Sequence, residues 1–209
     1  MSVPHTDRTL YLTKDSVDLN WEKYKEFLRA TEREGIEGLI EYLENETDMK
    51  TAPASSKFHG NYEGGLIHHS LNVLEILVRK VKMFKLEVSN DTLVIISLLH
   101  DLCKTNFYIK DSAFYKPDGR NWETYSFYKI DDSLPLGHGQ KSAMIAQRYV
   151  KLTDIELLAI TWHMGMFEEC NKMSLANASD YTPLVTLLQT SDMEASRMLE
   201  KVIDLRGGY

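Results

Sequence analysis

The sequence is poor in cysteine, in long apolar runs and in net positive charge. Its 209 residues include two cysteines, Cys103 and Cys170. One sits in an apolar run and the other in a polar stretch, so no structural bridge is indicated, and a reducing compartment is expected. No apolar stretch reaches the length that spans a bilayer. Met1 to Asn20 is polar and of mixed charge, with neither the basic start nor the apolar stretch of a secretory signal. The expected location is therefore cytoplasmic. Lysine and arginine total 24 against 31 acidic residues, a formal charge of −7. Attraction to long nucleic acid needs a positive surface, so the charge disfavours polymers more than small phosphorylated ligands. No internal repeat or low-complexity tract occurs.

What is present is ordinary for a globular chain: 43% hydrophobic and 26% charged residues, near the usual averages. At this length a sizeable core forms without disulfides. The opening twenty residues read as an arm or short strap. From Trp21 a helical period appears in Trp21, Tyr24, Leu28, Ile36, Leu39, Ile40 and Leu43. Gly35 should break it, since glycine costs roughly 1 kcal/mol inside a helix. Thr51 to Ser56 reads as loop. A second helix should start after Gly64-Gly65, with His69, Val73, Ile76 and Leu77 facing inward. A third, apolar nearly all round, should start at Asn90-Asp91 and run through His100-Asp101 to Leu102 as the buried central helix. Phe107 to Leu134 is rich in aromatics around Lys116-Pro117-Asp118-Gly119, and reads as two strands and a turn. Further helices should follow Gly137-His138-Gly139, extending to Tyr149 and Val150, and Thr153-Asp154-Ile155-Glu156, a capping-box pattern. Cys170 to Tyr181 reads as loop. Thr182-Pro183 opens the last helix with proline at its first position. The expectation is an all-α helical bundle with a small β-hairpin insertion at about 107–134, a domain over 57–209, and an N-terminal arm with a helical extension over 1–56.

Seven histidines occur. Four of them, His69, His100, His138 and His163, fall on or at the start of four successive predicted helices. Asp101 follows His100 directly, and Asp192 shares the inner face of the last helix with Leu188. A buried carboxylate is costly unless paired or bound to metal. Histidine with aspartate suits first-row divalent ions, and a bundle can aim one or two such side chains inward from each helix. For any one of the six, a satisfied core residue is the simpler reading; for the whole set it is not. His5, His59 and His68 are left as ordinary histidines.

These residues in this order resemble the HD-domain superfamily of metal-dependent phosphohydrolases. Lys57-Phe58-His59-Gly60-Asn61-Tyr62-Glu63-Gly64-Gly65-Leu66-Ile67-His68-His69 looks like the entry to the first HD helix of bacterial 3′-to-5′ exoribonucleases. Leu98-Leu99-His100-Asp101-Leu102-Cys103-Lys104 looks like their central segment, with Cys103 where glycine is usual. The resemblance runs over roughly 57–195 and lacks the OB-fold that those enzymes use to hold RNA. It implies an HD bundle and a hydrolase for a phosphoester or phosphoanhydride bond in a small, nucleotide-type substrate. It implies two metal ions, iron or manganese first, with zinc, nickel and magnesium as alternatives. His69, His100 and Asp192 would hold one ion, His138 and His163 the other, and Asp101 would bridge. Asp101 and Lys104 would be the catalytic pair, Lys104 touching phosphate or giving a proton; its other reading is a solvated lysine at a helix end. Lys141 and Arg120 are further candidates for substrate contact. A 3′-to-5′ nuclease, a mononuclear nucleotidase and a non-catalytic HD-type module are the alternatives, and the oligomeric state is left open.

Overall fold

A computed structural model describes residues 14–116, 119–167, 171–200 and 202. The opening strap up to residue 13, the turn residues 117 and 118 and Cys170 lie outside them. The described chain is helical with one hairpin. Its elements are α1 (Lys14–Ala30), α2 (Ile36–Asn45), α3 (Gly65–Met83), α4 (Asn90–Leu99), β1 (Tyr108–Tyr115), β2 (Glu123–Ile130), α5 (His138–Gln147), α6 (Asp154–Trp162), α7 (Lys172–Tyr181) and α8 (Leu184–Glu194).

The centre is α4. Leu93, Ile95, Ile96, Leu98 and Leu99 are all buried, each contributing roughly 1.5–3 kcal/mol on leaving water. Helix α3 packs against α4 and α8, and α6 against α5 and α8. The core runs without a break from Trp21, Tyr24 and Leu28 of α1, through Leu39 and Leu43 of α2, to Leu188 of α8. The Tyr24 hydroxyl donates to the Leu98 carbonyl at 2.7 Å, supplying a partner to one of the carbonyls that a helix end leaves open. Helix α1 stops at Ala30, and Gly35, at φ 88°, is the N-cap of α2. Thr153 and Glu156 form the expected capping box. The hairpin is antiparallel, Tyr108 opposite Ile130 and Tyr115 opposite Glu123.

Several local expectations are corrected. Helix α1 begins at Lys14, inside the stretch read as an arm, because Val17 finds a buried place against Gly64. The cap of α4 is Ser89, whose hydroxyl accepts from the Thr92 amide. That helix ends at Leu99, with His100 as its C-cap and Asp101 beyond it. Helix α5 stops at Gln147, before Tyr149 and Val150. The stretch read as loop before Tyr181 contains α7, started by Asn171, whose side chain accepts from the amides of Met173 and Ser174. Its serines and asparagines favour caps and turns, which hid the helix. Pro183 caps α8 rather than opening it. Of the hairpin aromatics, Tyr128 is buried, whereas Phe114 is 72% exposed and Trp122 66%.

Candidate metal centre

Helix ends build the site. A helix leaves its last carbonyls without partners. At the end of α4 the Ser97 carbonyl is met by His100 Nδ1 at 2.8 Å. At the end of α6 the Ile160 carbonyl is met by His163 Nδ1 at 2.7 Å. A carbonyl can only accept, so both Nδ1 atoms carry a proton, and each ring turns its Nε2 to the other side. His69, from the interior of α3, has its Nδ1 held by Glu200 Oε1 at 2.9 Å. All three rings are fully buried. His69 Nε2 lies 3.2 Å from His100 Nε2 and 3.2 Å from Asp192 Oδ1.

Asp101 stands at the middle. Its Oδ2 is 3.4 Å from His100 Nε2, 3.6 Å from His69 Nε2 and 2.7 Å from Lys104 Nζ. Its Oδ1 is 3.6 Å from His163 Nε2 and 4.0 Å from Cys103 Sγ. Residues Leu102–Lys104 form a 3₁₀ turn, in which side chains three apart eclipse; that places Lys104 over Asp101. His138 opens α5, with its Nδ1 3.8 Å from Cys103 Sγ. Gly139 lets the start of α5 touch the end of α6, since a Cβ there would meet the Thr161 carbonyl oxygen at 2.1 Å.

Four sets of converging donors result: His59, His69 and Glu200; His69, His100 and Asp192; His100, Asp101 and His163; and Asp101, Cys103 and His138. Neighbouring sets share a residue, so they form one row. Their chemistry fits divalent ions. His163 Nε2 is buried with no hydrogen-bond partner, as are His59 Nε2 and Glu200 Oε2, and a buried polar atom without a partner is costly. Two imidazole lone pairs 3.2 Å apart also repel unless a cation or a proton lies between them. In the protein alone that role falls to His69. Burial opposes its charge, but Glu200 and Asp192 outweigh burial and raise its pKa to about 10. Burial works against the Asp101 carboxylate, yet Lys104 and His100 hold it well below the usual carboxylate range. Lys104 is itself held charged, Asp101 prevailing over burial.

Of the candidates from sequence, His69, His100, Asp101, His163 and Asp192 converge, His138 joins through Cys103, and Lys104 sits on Asp101. Lys141 does not join. It is buried with its ammonium on Asp132 at 2.7 Å and over the Phe107 ring. Arg120 is exposed on the hairpin turn. The base of the hairpin reaches the centre: Phe107 stands edge-on to Tyr108 and to His138. Three of the converging residues escaped the sequence reading, one of them Cys103, which was read only as standing where glycine is usual. Glu200 follows a π-helical turn at Ala195–Leu199, and no motif announces it. His59 was set aside, yet its ring lies 5.1 Å from that of His69. Its position ten residues before His69, in the glycine-rich entry segment, was the available signal. His68 is an ordinary core histidine, held by Tyr62 and Asn72. A cavity of about 670 Å³ between α1, α3 and α4 is lined by none of the donor residues.

Among known proteins, the chain is 33% identical over 87 residues to the dihydroneopterin 2′,3′-cyclic phosphate phosphodiesterase of Methanocaldococcus jannaschii. The match takes in 40% of this chain and 32% of that protein, so the chain covers about a third of the relative's length. No family model matches the chain, and no solved structure matches it. The relative is named as a phosphodiesterase, and clusters of residues able to hold metal ions are present here.

Proposed function

We propose that this chain is a metal-dependent phosphohydrolase of the HD type with a two-ion centre. Its substrate is a small phosphorylated compound of nucleotide type, and a cyclic phosphodiester is the first class to test. The observation that carries the reading is the orientation of three buried imidazoles. Glu200 and two helix-end carbonyls take the Nδ1 sides of His69, His100 and His163, leaving the Nε2 atoms turned on the two oxygens of Asp101. Partners that fix ring orientation in this way are the usual support of metal-ligating histidine. His69, His100 and Asp192 would hold one ion, His138 and His163 the other, with Asp101 between them. Ions bound there supply Lewis acidity and a hydrolytic nucleophile at neutral pH.

The chain's own residues do the rest. Asp101 presents one oxygen to each half of the row and stays ionised beside Lys104. Lys104 holds a full positive charge in a dry place, where it offsets the charge that builds on phosphate oxygens as the bond breaks. The −7 charge and the name of the phosphodiesterase relative both favour a small substrate over a polymer.

The test is elemental analysis of protein purified without chelators, with assays on 2′,3′-cyclic nucleotides and dihydroneopterin cyclic phosphate. About two ions per chain are expected, lost in a His100→Ala, Asp101→Ala double variant. Asp101→Asn should cut turnover about a thousandfold, equivalent to about 4 kcal/mol of transition-state stabilisation. One ion per chain would replace the two-ion centre with a mononuclear one. No metal after reconstitution with manganese or iron would end the catalytic reading.

A further inference from the structure

We propose that Cys103 is a ligand of the second ion, making that position a cysteine–histidine–aspartate site that selects a thiophilic cation. The inference rests on the two-ion reading above and adds to it a donor that reading does not use. Asp101 divides its oxygens between two sets of neighbours. Oδ2 faces His69, His100 and Lys104, whereas Oδ1 faces His163 Nε2 at 3.6 Å and Cys103 Sγ at 4.0 Å. The same sulfur lies 3.8 Å from His138 Nδ1. A tetrahedral ion with a metal–sulfur bond of about 2.3 Å and metal–nitrogen or metal–oxygen bonds of about 2.0–2.2 Å sets its donors roughly 3.4–3.7 Å apart. Asp101, Cys103 and His138 converge as one set, which His163 meets through Asp101, and these three separations reach that range with shifts of a few tenths of an ångström.

Two further observations point the same way. His163 Nε2 is fully buried, has no hydrogen-bond partner and turns on the same Asp101 oxygen that the sulfur approaches. Cys103 is a buried free thiol, and its place is fixed by its backbone, the amide donating to Ser142 Oγ at 3.0 Å. That anchor holds the Cys103 backbone beside the row. On binding, the thiol gives its proton to solvent and the thiolate joins the ion. Sulfur favours zinc, ferrous iron and cobalt at this position over magnesium, which prefers oxygen. The His69–His100–Asp192 half has no sulfur, so the two positions differ in the ions they prefer.

Cobalt(II) titration of the metal-free protein, followed by absorption, separates the possibilities. The wild-type chain should take two equivalents, one of them bringing a thiolate-to-cobalt charge-transfer band in the near ultraviolet. Cys103→Ser should lose that band and weaken one equivalent at least tenfold, leaving the other unchanged. Circular dichroism checks that this variant folds. His138→Ala, which keeps the thiol, should weaken the same equivalent and carries the test if the serine variant does not fold. Two equivalents without the band, or a band that survives in Cys103→Ser, would overturn the cysteine ligand and leave the two-ion centre standing. No cobalt bound at all would overturn both.

Discussion

Two buried polar clusters lie within this bundle, and they differ in one respect: one is closed and the other is not. The closed one surrounds Glu156, whose side chain is completely buried. Its Oε1 accepts from Arg33 at 3.0 Å and from Thr92 at 2.9 Å. Its Oε2 accepts from Arg33 at 3.1 Å and from the Thr153 amide at 2.9 Å, and Arg33 reaches on to the Lys151 carbonyl. The open cluster is the histidine–aspartate row, where His163 Nε2, His59 Nε2 and Glu200 Oε2 have no hydrogen-bond partners. Each such atom costs about 1–3 kcal/mol while it lacks a partner; among the described residues Ser97 Oγ shares that state outside the row, so it is the grouping of three in one row that sets the cluster apart. A buried charge with every partner supplied by the chain is architecture. A buried cluster with partners missing is a place for something the chain does not contain.

The largest effect on stability should come from the closed cluster. Glu156→Ala leaves the Arg33 guanidinium facing an empty buried position. Breaking one side of a buried pair costs about 3–5 kcal/mol, so urea unfolding at pH 7 should show a loss of that size. The pH dependence has a fixed sign. Burial alone would raise the Glu156 pKa, but Arg33 and the bonds from Thr153 and Thr92 lower it below the ordinary 4.5. Its stabilisation is then complete above pH 4.5 and is lost as pH falls through the lowered value. The gap between wild type and variant should narrow in acid. A gap that stays constant from pH 7 to pH 3 would mean that packing, not charge, holds this cluster.

In the open cluster the expected effect falls on metal binding. Glu200→Ala removes the acceptor that orients the His69 ring. Loss of such a partner typically costs ten- to a hundredfold in metal affinity, and titration of the metal-free protein measures it. Glu200→Gln keeps an oxygen that can accept from His69 Nδ1 and should recover part of the loss. Equal losses in both variants would show that the charge of Glu200, rather than its aim, is what His69 needs.

The same contrast separates what could be read in the sequence from what could not. The segments that carry the proposed donors were legible because their signals are local. His100-Asp101 sits at the end of a short apolar run, His138 between two glycines, and His163 at the end of the helix that the Thr153–Glu156 capping box opens. Five of the six proposed donors accordingly converge without any adjustment of register. Glu200 was not legible, since it meets His69 across 131 positions, and the π-helical turn that aims it has no sequence signature. Helix α7 was missed for the opposite reason, its local composition speaking for loop while packing against α6 and α8 settles it as helix. Lys141 was a candidate by nearness to His138, but three residues along a helix turn its side chain towards Asp132 instead. Spacing predicts which face a residue takes; it does not predict which partner on that face wins it.

The tip of the hairpin offers the smallest expected effect, and its base, whose loss should match that of the closed cluster, a control on both. Its tip carries apolar side chains in water, Phe114 and Trp122, whereas its base places Phe107, 7% exposed, between the Tyr108 and His138 rings. Surface substitutions away from special contacts stay within about 0.5 kcal/mol. Phe114→Ser and Trp122→Ser should therefore leave unfolding and metal affinity unchanged. Phe107→Ala empties a buried aromatic site and should cost about 3–5 kcal/mol. If the tip variants destabilise the chain as the base variant does, the hairpin is part of the core, and its exposed aromatics must be packed against something in solution. If only the base variant does, the hairpin is anchored beside His138 and its tip is free to vary without disturbing the centre.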